Sequence, residues 1–304
     1  MTRSVAVLMG GWSSEREVSL SSGGQMAKAL EHAGYDVRRI DVRHDIPALL
    51  RALSPAPDVV VNALHGRYGE DGRIQGLLDC LGIPYTHSGM LASAIAMDKP
   101  TAKRLFEDEG IRCAPHEMVS RADFEAGRHM APPFVMKPVD EGSSVGVHIV
   151  LEAADIPSAA DWSFGAAVMM EKYVPGRELT VGVMGDRALG VTEIRPRTGF
   201  YDYAAKYTEG RADHLIPAQV HPDIYAEAMD FALRAHRTLG CRGVSRSGLR
   251  YDDTQGEPGR LFLLEVNTQP GMTPLSLVPE QAAHAGIGFG ELVVWMVENA
   301  QCDG

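Results

Sequence analysis

The sequence predicts an α/β fold that turns α+β in its central part. Three observations carry this. Near the N-terminus, short apolar runs at 5–8, 37–42, 59–64 and 83–85 alternate with segments of helical spacing, the pattern of a parallel sheet with helices on its faces. In the middle, runs at 134–137, 145–150, 168–173, 179–184 and 188–194 follow one another closely with Gly or Pro between them, which reads as mostly antiparallel strands. Toward the C-terminus, a long helix over 222–239 precedes two strands, 243–251 and 261–267, and a closing helix that ends near Asn299.

Each element has its local reason. The first strand ends in Gly10-Gly11-Trp12-Ser13-Ser14-Glu15-Arg16-Glu17, at the carboxyl end of a strand, where open α/β sheets bind ligands. That loop lacks GxGxxG, so it does not predict a dinucleotide site. Met26, Leu30 and Ala33 share one helix face, and Ile74, Leu77, Leu78 and Leu81 another. After Asp98-Lys99-Pro100 a helix runs through Glu109, and Ala131-Pro132-Pro133 separates it from the strands. Ile224, Ala228, Phe231, Ala232 and Ala235 give the long helix its apolar face, and the turn-rich 252–259 joins the last two strands.

Composition excludes several function classes. The 304 residues suggest two or three domains at about 100–200 residues each. With 45% hydrophobic and 23% charged residues the chain is ordinary globular protein, neither disordered nor collagenous. A net charge of −11 and no long Lys/Arg run argue against a nucleic acid partner. The N-terminus lacks the pattern of a secretory signal, and no stretch reaches the roughly 20 apolar residues of a membrane span. Cys80, Cys113, Cys241 and Cys302 form no CxxC pair, and the eleven histidines form no HExxH. Zinc and a disulfide framework are therefore not indicated, and a cytoplasmic location is expected.

Three segments carry chemistry, each with a plain structural alternative. Lys137-Pro138 leads into Val139-Asp140-Glu141-Gly142-Ser143-Ser144-Val145-Gly146, which is either a simple turn or a loop whose N–H groups and hydroxyls line phosphate oxygens beside a lysine. The stretch 170–178 is either a solvated loop or a linker whose backbone reads an adenine edge, with Glu178 accepting from ribose hydroxyls. Glu265 and Asn267 stand two apart on a strand and so share a face. They are either a structural pair or oxygen donors for a hard Mg2+ ion.

Taken together the motifs resemble one family, the ATP-grasp ligases, and within it the D-alanine:D-alanine ligases. The resemblance runs from Leu8-Met9-Gly10-Gly11 and Ser14-Glu15-Arg16-Glu17-Val18-Ser19 to Ser276-Leu277-Val278-Pro279. Between these lie Ala63-Leu64-His65-Gly66-Arg67, Gly69-Glu70-Asp71-Gly72, Met97-Asp98-Lys99, Phe200-Tyr201-Asp202-Tyr203-Ala204-Ala205-Lys206-Tyr207 and Asn267-Thr268-Gln269-Pro270-Gly271-Met272. It implies a three-domain ATP-grasp fold, with an N-terminal parallel α/β domain over 1–98, a central subdomain over 99–184 and a C-terminal catalytic domain over 185–304. It further implies ATP as co-substrate, Mg2+ or Mn2+ as cofactor and D-alanine as substrate, joined into D-alanyl-D-alanine through an acyl phosphate for peptidoglycan synthesis. Lys99, Lys137 and Lys206 would contact phosphates, Glu171, Lys172, Tyr173 and Val174 adenine, and Glu178 the ribose. Glu15 would pair with the ammonium of the first D-alanine, with His65 near its carboxylate. Arg246 and the N–H of Gly271 would stabilise an oxyanion, while Ser276 and Leu277 would position the second D-alanine. Ser143 and Tyr207 would link with Glu15 and close the loop 198–212 over the site, excluding water. A two-fold dimer through the first domain is the expected assembly.

One position departs from the family pattern. Where the pattern reads Arg-x-Asp, with the aspartate a Mg2+ ligand, this chain has Arg246-Ser247-Gly248. Glu265 and Asn267 are then the remaining ligands, and one metal position is expected to be weakened. The competing reading is a nucleotide-binding homologue with weak or no turnover. A carboxylate-amine ligase that takes D-lactate or D-serine as second substrate is a further alternative.

Overall fold

The computed structural model describes residues 2–139, 146–197, 210–273 and 276–303. The chain opens with β1 (Ser4–Gly10), α1 (Arg16–His32), β2 (Asp36–Val42), α2 (Ile46–Ala52), β3 (Val59–Asn62), α3 (Arg73–Cys80) and α4 (Met90–Met97). Its strands form a parallel sheet in the order β2-β1-β3. Alternation divides their side chains: Val5, Val7, Val59 and Val61 enter one apolar cluster, Ala6, Leu8 and Val60 the other. With both faces covered, β1 and β3 read as continuous apolar runs. The run at 83–85 is not a fourth strand. Only Tyr85 bridges to Val60, because Pro84 has no N–H to give a ladder.

Next come α5 (Lys99–Asp108), β4 (His116–Ser120), α6 (Arg121–Glu125), β5 (Phe134–Lys137), β6 (His148–Val150) and β7 (Ala167–Lys172). The four strands make an antiparallel sheet, β4-β7-β5-β6. Asp98 caps α5 by accepting from the Thr101 N–H at 3.0 Å, and Pro100 occupies the first turn. This start fixes Lys99 at the mouth of the helix and turns Ala102, Lys103 and Phe106 inward.

The remainder comprises β8 (Arg177–Met184), β9 (Arg187–Pro196), β10 (Ala212–Leu215), α7 (Pro222–Thr238), β11 (Val244–Asp252), β12 (Arg260–Asn267), α8 (Leu277–His284) and α9 (Phe289–Glu298). Its strands form an antiparallel sheet, β10-β9-β8-β11-β12. The fold is thus α/β at the N-terminus and antiparallel with flanking helices beyond it. A division after Met184 falls inside the β8–β9 hairpin, where Met184 pairs with Arg187. The two antiparallel sheets part instead at the linker 173–176. Ile224, Ala228, Phe231, Ala232 and Ala235 of α7 pack on the five-stranded sheet together with Ala102 and Phe106 of α5. Leu292, Val293, Met296 and Val297 of α9 return to the N-terminal sheet.

Candidate active site

A cavity of about 470 Å³ opens between the two antiparallel sheets. Val135, Lys137, Val147 and Ile149 line it from one side, Arg246, Gly248, Leu264 and Glu265 from the other, with the linker and Lys99 at its ends. Of the residues expected to meet ATP, Lys99, Lys137, Glu171, Lys172, Tyr173, Val174 and Glu178 all border this cavity. Lys206, Ser143 and Tyr207 lie outside the described residues.

The cavity wall carries two buried carboxylates, each clamped by two cations. Glu171, 2% exposed, is paired with Lys137 through Oε2 and with Lys103, which has no exposed surface, through Oε1. Burial pushes the Glu171 carboxyl up, but Lys137 and Lys103 outweigh it and hold the group below its ordinary value. The Glu171 side chain is therefore already engaged. Glu193 accepts from Arg177 at 3.0 and 2.6 Å and from Arg195 at 2.8 and 2.9 Å. Both arginines face the cavity. Sequence reasoning passed over Lys103, Arg177, Glu193 and Arg195, since neither their burial nor the packing of helix α5 and the β8–β9 hairpin around the cavity shows in a local pattern.

Strand register builds the opposite wall. Arg246 stands across from Asn267 and Gly248 across from Glu265, so these four positions share one face. Arg246 Nη1 donates to Thr180 Oγ1 at 3.1 Å, and its Nη2 is 4.0 Å from Glu265 Oε1. The Oδ1 of Asn267 accepts from the Gln269 N–H at 2.7 Å. A bulge follows Gly248, where Leu249 pairs with Leu263 and leaves Leu264 as the extra residue. A Cβ added at Gly248 would meet Glu265 Cγ at 3.6 Å and Arg246 Nη1 at 3.9 Å, ordinary contacts, and the backbone there is not left-handed.

The residues expected to hold the amino acids gather beside the N-terminal sheet. Glu15, 4% exposed, sits at the start of α1. Gly66 approaches it so closely that a Cβ would lie 2.9 Å from Glu15 Oε2, and its φ of +70° favours glycine. His65 Nε2 lies 3.3 Å from Ser22 Oγ, which also accepts from the Met272 N–H at 3.2 Å. That chain ties His65 to the segment holding Gly271. Ser276 Oγ accepts from the Thr273 N–H at 2.9 Å and would lie equally close to a Cβ on Gly271, while Leu277 is buried against Ile194. Burial lowers the His65 value against the opposing pull of Glu15.

Glu70 is the missed member of this group. It is 8% exposed, and burial followed by the charge of Glu15 pushes its carboxyl well above the usual range, with Glu265 adding and Lys99 opposing. The motif 69–72 was visible in sequence, but the burial that makes Glu70 unusual was not. Asn62 and Gln269 join the two halves of the site: Gln269 Nε2 donates to the Asn62 C=O at 2.6 Å, and Asn62 Nδ2 to Gln269 Oε1 at 3.3 Å.

The comparisons with known proteins agree with this geometry. The family described as D-ala D-ala ligase C-terminus matches residues 105–298, and that described as D-ala D-ala ligase N-terminus matches residues 50–88. The D-alanine–D-alanine ligase of Rhodospirillum rubrum is 58% identical over 100% of both chains, and that of Acidiphilium cryptum 59% identical over 98% of both. Among solved structures, the D-alanine–D-alanine ligase of Bacillus anthracis complexed with ATP superposes with a TM-score of 0.83 at 32% identity, covering 98% of this chain and 97% of that one. The D-Ala:D-Ser ligase of Enterococcus faecalis reaches a TM-score of 0.81 at 27% identity over 98% and 99% of the two chains. On these matches over nearly its whole length, the chain belongs to the D-alanine–D-alanine ligase family.

Proposed function

We propose that the protein joins two D-alanines into D-alanyl-D-alanine, with ATP as co-substrate, for peptidoglycan synthesis. The observation that carries this is the adjacency of two groups of residues: a cation-lined cavity of nucleotide size, and the buried cluster of Glu15, His65 and Glu70, whose charges act on one another and on Glu265 and Lys99 of the cavity wall. A carboxylate oxygen of the first D-alanine attacks the γ-phosphorus of ATP, ADP leaves, and an acyl phosphate remains. The amine of the second D-alanine then attacks the acyl carbon, loses a proton and expels phosphate.

This chain's residues serve those steps as follows. Lys99 and Lys137 neutralise phosphate oxygens, together with Lys206. The backbone of 171–174 holds adenine and Glu178 the ribose. Glu15 pairs with the first ammonium, and His65 lies by the first carboxylate. Arg246 and the Gly271 N–H face the oxyanion of the tetrahedral intermediate, where preorganised donors contribute most. Ser276 and Leu277 position the second D-alanine. Ser143 and Tyr207, outside the described residues, would by the family resemblance link with Glu15 and shield the acyl phosphate from water.

The residues present fit a Mg2+ or Mn2+ ion held chiefly by the nucleotide. Glu265 and Asn267 offer hard oxygens on one face, and Mg2+ commonly takes one or two carboxylates plus phosphates and waters. When bound, the ion would neutralise charge on the transferring phosphoryl group. No group of three or more His, Cys, Asp or Glu placed to hold a metal occurs among the described residues.

Gly248 supports a second reading, a homologue whose metal site is weakened and whose turnover is low, since the space beside Glu265 has room for a side chain that glycine lacks. D-alanine-dependent formation of ADP and of the dipeptide, measured across Mg2+ concentrations in the chain and in Gly248→Asp, decides between them. Turnover in the chain itself supports the ligase. Turnover only after the substitution supports the weakened homologue. None in either sinks the assignment. Replacing the second D-alanine by D-serine or D-lactate tests the breadth of the site.

A two-fold dimer is part of this reading. Ile46, Leu50, Leu81, Met90 and Leu91, all in the N-terminal domain, are exposed large apolar side chains, and sedimentation would report the assembly. A cytoplasmic location accords with four free cysteines. Among the described residues no helix is long and apolar enough to cross a membrane.

A further inference from the structure

Arg250 lines the nucleotide cavity yet belongs to none of the motifs above. It projects from β11 on the face that carries Arg246 and Gly248, and register places it opposite Glu178 of β8. Its Nε donates to the Val174 C=O at 3.1 Å and its Nη2 to the Gly176 C=O at 3.0 Å. Its Nη1 lies 3.9 Å from Glu178 Oε2, and its guanidinium carbon is 6.0 Å from the centre of the Tyr173 ring. One side chain thus spans the linker between the two antiparallel sheets and reaches the carboxylate at its far end. A rigid planar fork can hold two carbonyls and a carboxylate at once, which a lysine ammonium on a flexible stem cannot reproduce. Carbonyls held by Arg250 are fixed in direction, so the linker offers a fixed set of groups to a base.

We propose that Arg250 is a positioning residue for the nucleotide: it fixes the linker and orients the Glu178 carboxylate, so that the site distinguishes ribose from deoxyribose. The proposal deepens the nucleotide reading above and rests on Glu178 as the ribose ligand. A residue that merely braced the fold would raise the KM for every nucleotide alike. A residue that aims Glu178 would affect most the nucleotide carrying both hydroxyls.

The test compares ATP, 2′-deoxy-ATP and 3′-deoxy-ATP in the full-length chain, in Arg250→Met and in Arg250→Lys. For Arg250→Met the KM for ATP rises about tenfold, the scale of one charge-assisted hydrogen bond, while the KM for D-alanine and kcat hold. The KM values for the deoxy analogues rise less, so the preference for ATP shrinks toward parity, and Arg250→Lys falls between. An unchanged KM for ATP overturns the proposal, as does an equal rise for all three nucleotides. If Arg250→Met does not fold, the same comparison is read in Arg250→Lys, which keeps the charge and loses the fork. A parent chain indifferent to the ribose hydroxyls overturns the Glu178 reading itself, and with it this one, before any variant is examined.

Discussion

Lys103, which has no exposed surface, is ion-paired with Glu171 in the wall of the nucleotide cavity. Because Glu171 also holds Lys137, a lysine that never reaches the cavity sets the charge beneath one that does. Lys103→Met leaves the carboxylate with a single cation and is expected to destabilise the chain by about 3 kcal/mol, the scale for breaking a buried pair. Lys137 is then drawn more fully to Glu171 and the KM for ATP rises. Thermal unfolding and ATP kinetics check this. The double variant Lys103→Met/Glu171→Gln, which removes the orphaned charge and releases Lys137, should regain part of the stability and part of the KM.

Gly248→Asp is expected to fold normally, since its Cβ meets only ordinary contacts. Its carboxylate faces Glu265 across the strand pair. Without metal the two like charges lower the melting temperature slightly, and with ATP and Mg2+ the loss is reversed. Mn2+ binding in the presence of ATP, followed by titration calorimetry, should tighten by about tenfold or more, as a further charged oxygen ligand adds to the set. Equal Mn2+ affinity in both chains would contradict the open ligand position.

Glu70→Gln separates stability from substrate binding. A carboxyl raised by burial and by Glu15 costs stability at neutral pH. The substrate-free variant is therefore expected to melt at a higher temperature. An ammonium bound near Glu15 loses a neighbouring carboxyl that it would help to ionise, and the KM for the first D-alanine should rise about tenfold. Opposite changes in these two measurements distinguish a binding carboxylate from a packing residue.

Acid stability should be governed by histidines outside the site. His87 is pushed down to about 3 and His236 to about 4, both by burial. The unfolded rings bind protons from about pH 6.5 downward, whereas the folded ones stay neutral until far lower pH. Their contribution is complete above that value and is lost as pH falls from it, toward about 4 for His236 and about 3 for His87. Urea midpoints followed across this window should fall steeply in the parent chain and less steeply in His236→Gln.

The strands that were legible in sequence are those with apolar runs covered on both faces, such as β1 and β3. β4 and β10, with the sequences HEMVS and ADHL, are short and polar and pair on one edge only, so no run announced them. The run at 83–85 looked like a strand because periodicity does not see that Pro84 lacks a donor. In the site, Lys99, Lys137 and Glu178 were legible from motifs within one stretch of chain. Lys103 and Arg250 were not, because their partners come from other elements whose register no local pattern encodes, and Glu193 was not, because its burial shows only in the fold.

The apolar cluster around Met26, Val59 and Val61 also contains Val244, Met272, Val278 and Val297. The N-terminal sheet and the five-stranded sheet therefore share one interior, pinned further by Asn62 and Gln269. Val119, Phe124, Phe134, Val150 and Val168 form a separate interior for the four-stranded sheet. The four-stranded sheet therefore keeps its own interior and joins the rest through 109–115, the linker 173–176 and the Lys103–Glu171 pair. A sheet with its own interior is expected to move as a unit over the cavity it borders. Amide hydrogens of its strands should exchange as one group, earlier than those of β1 and β11, which exchange together.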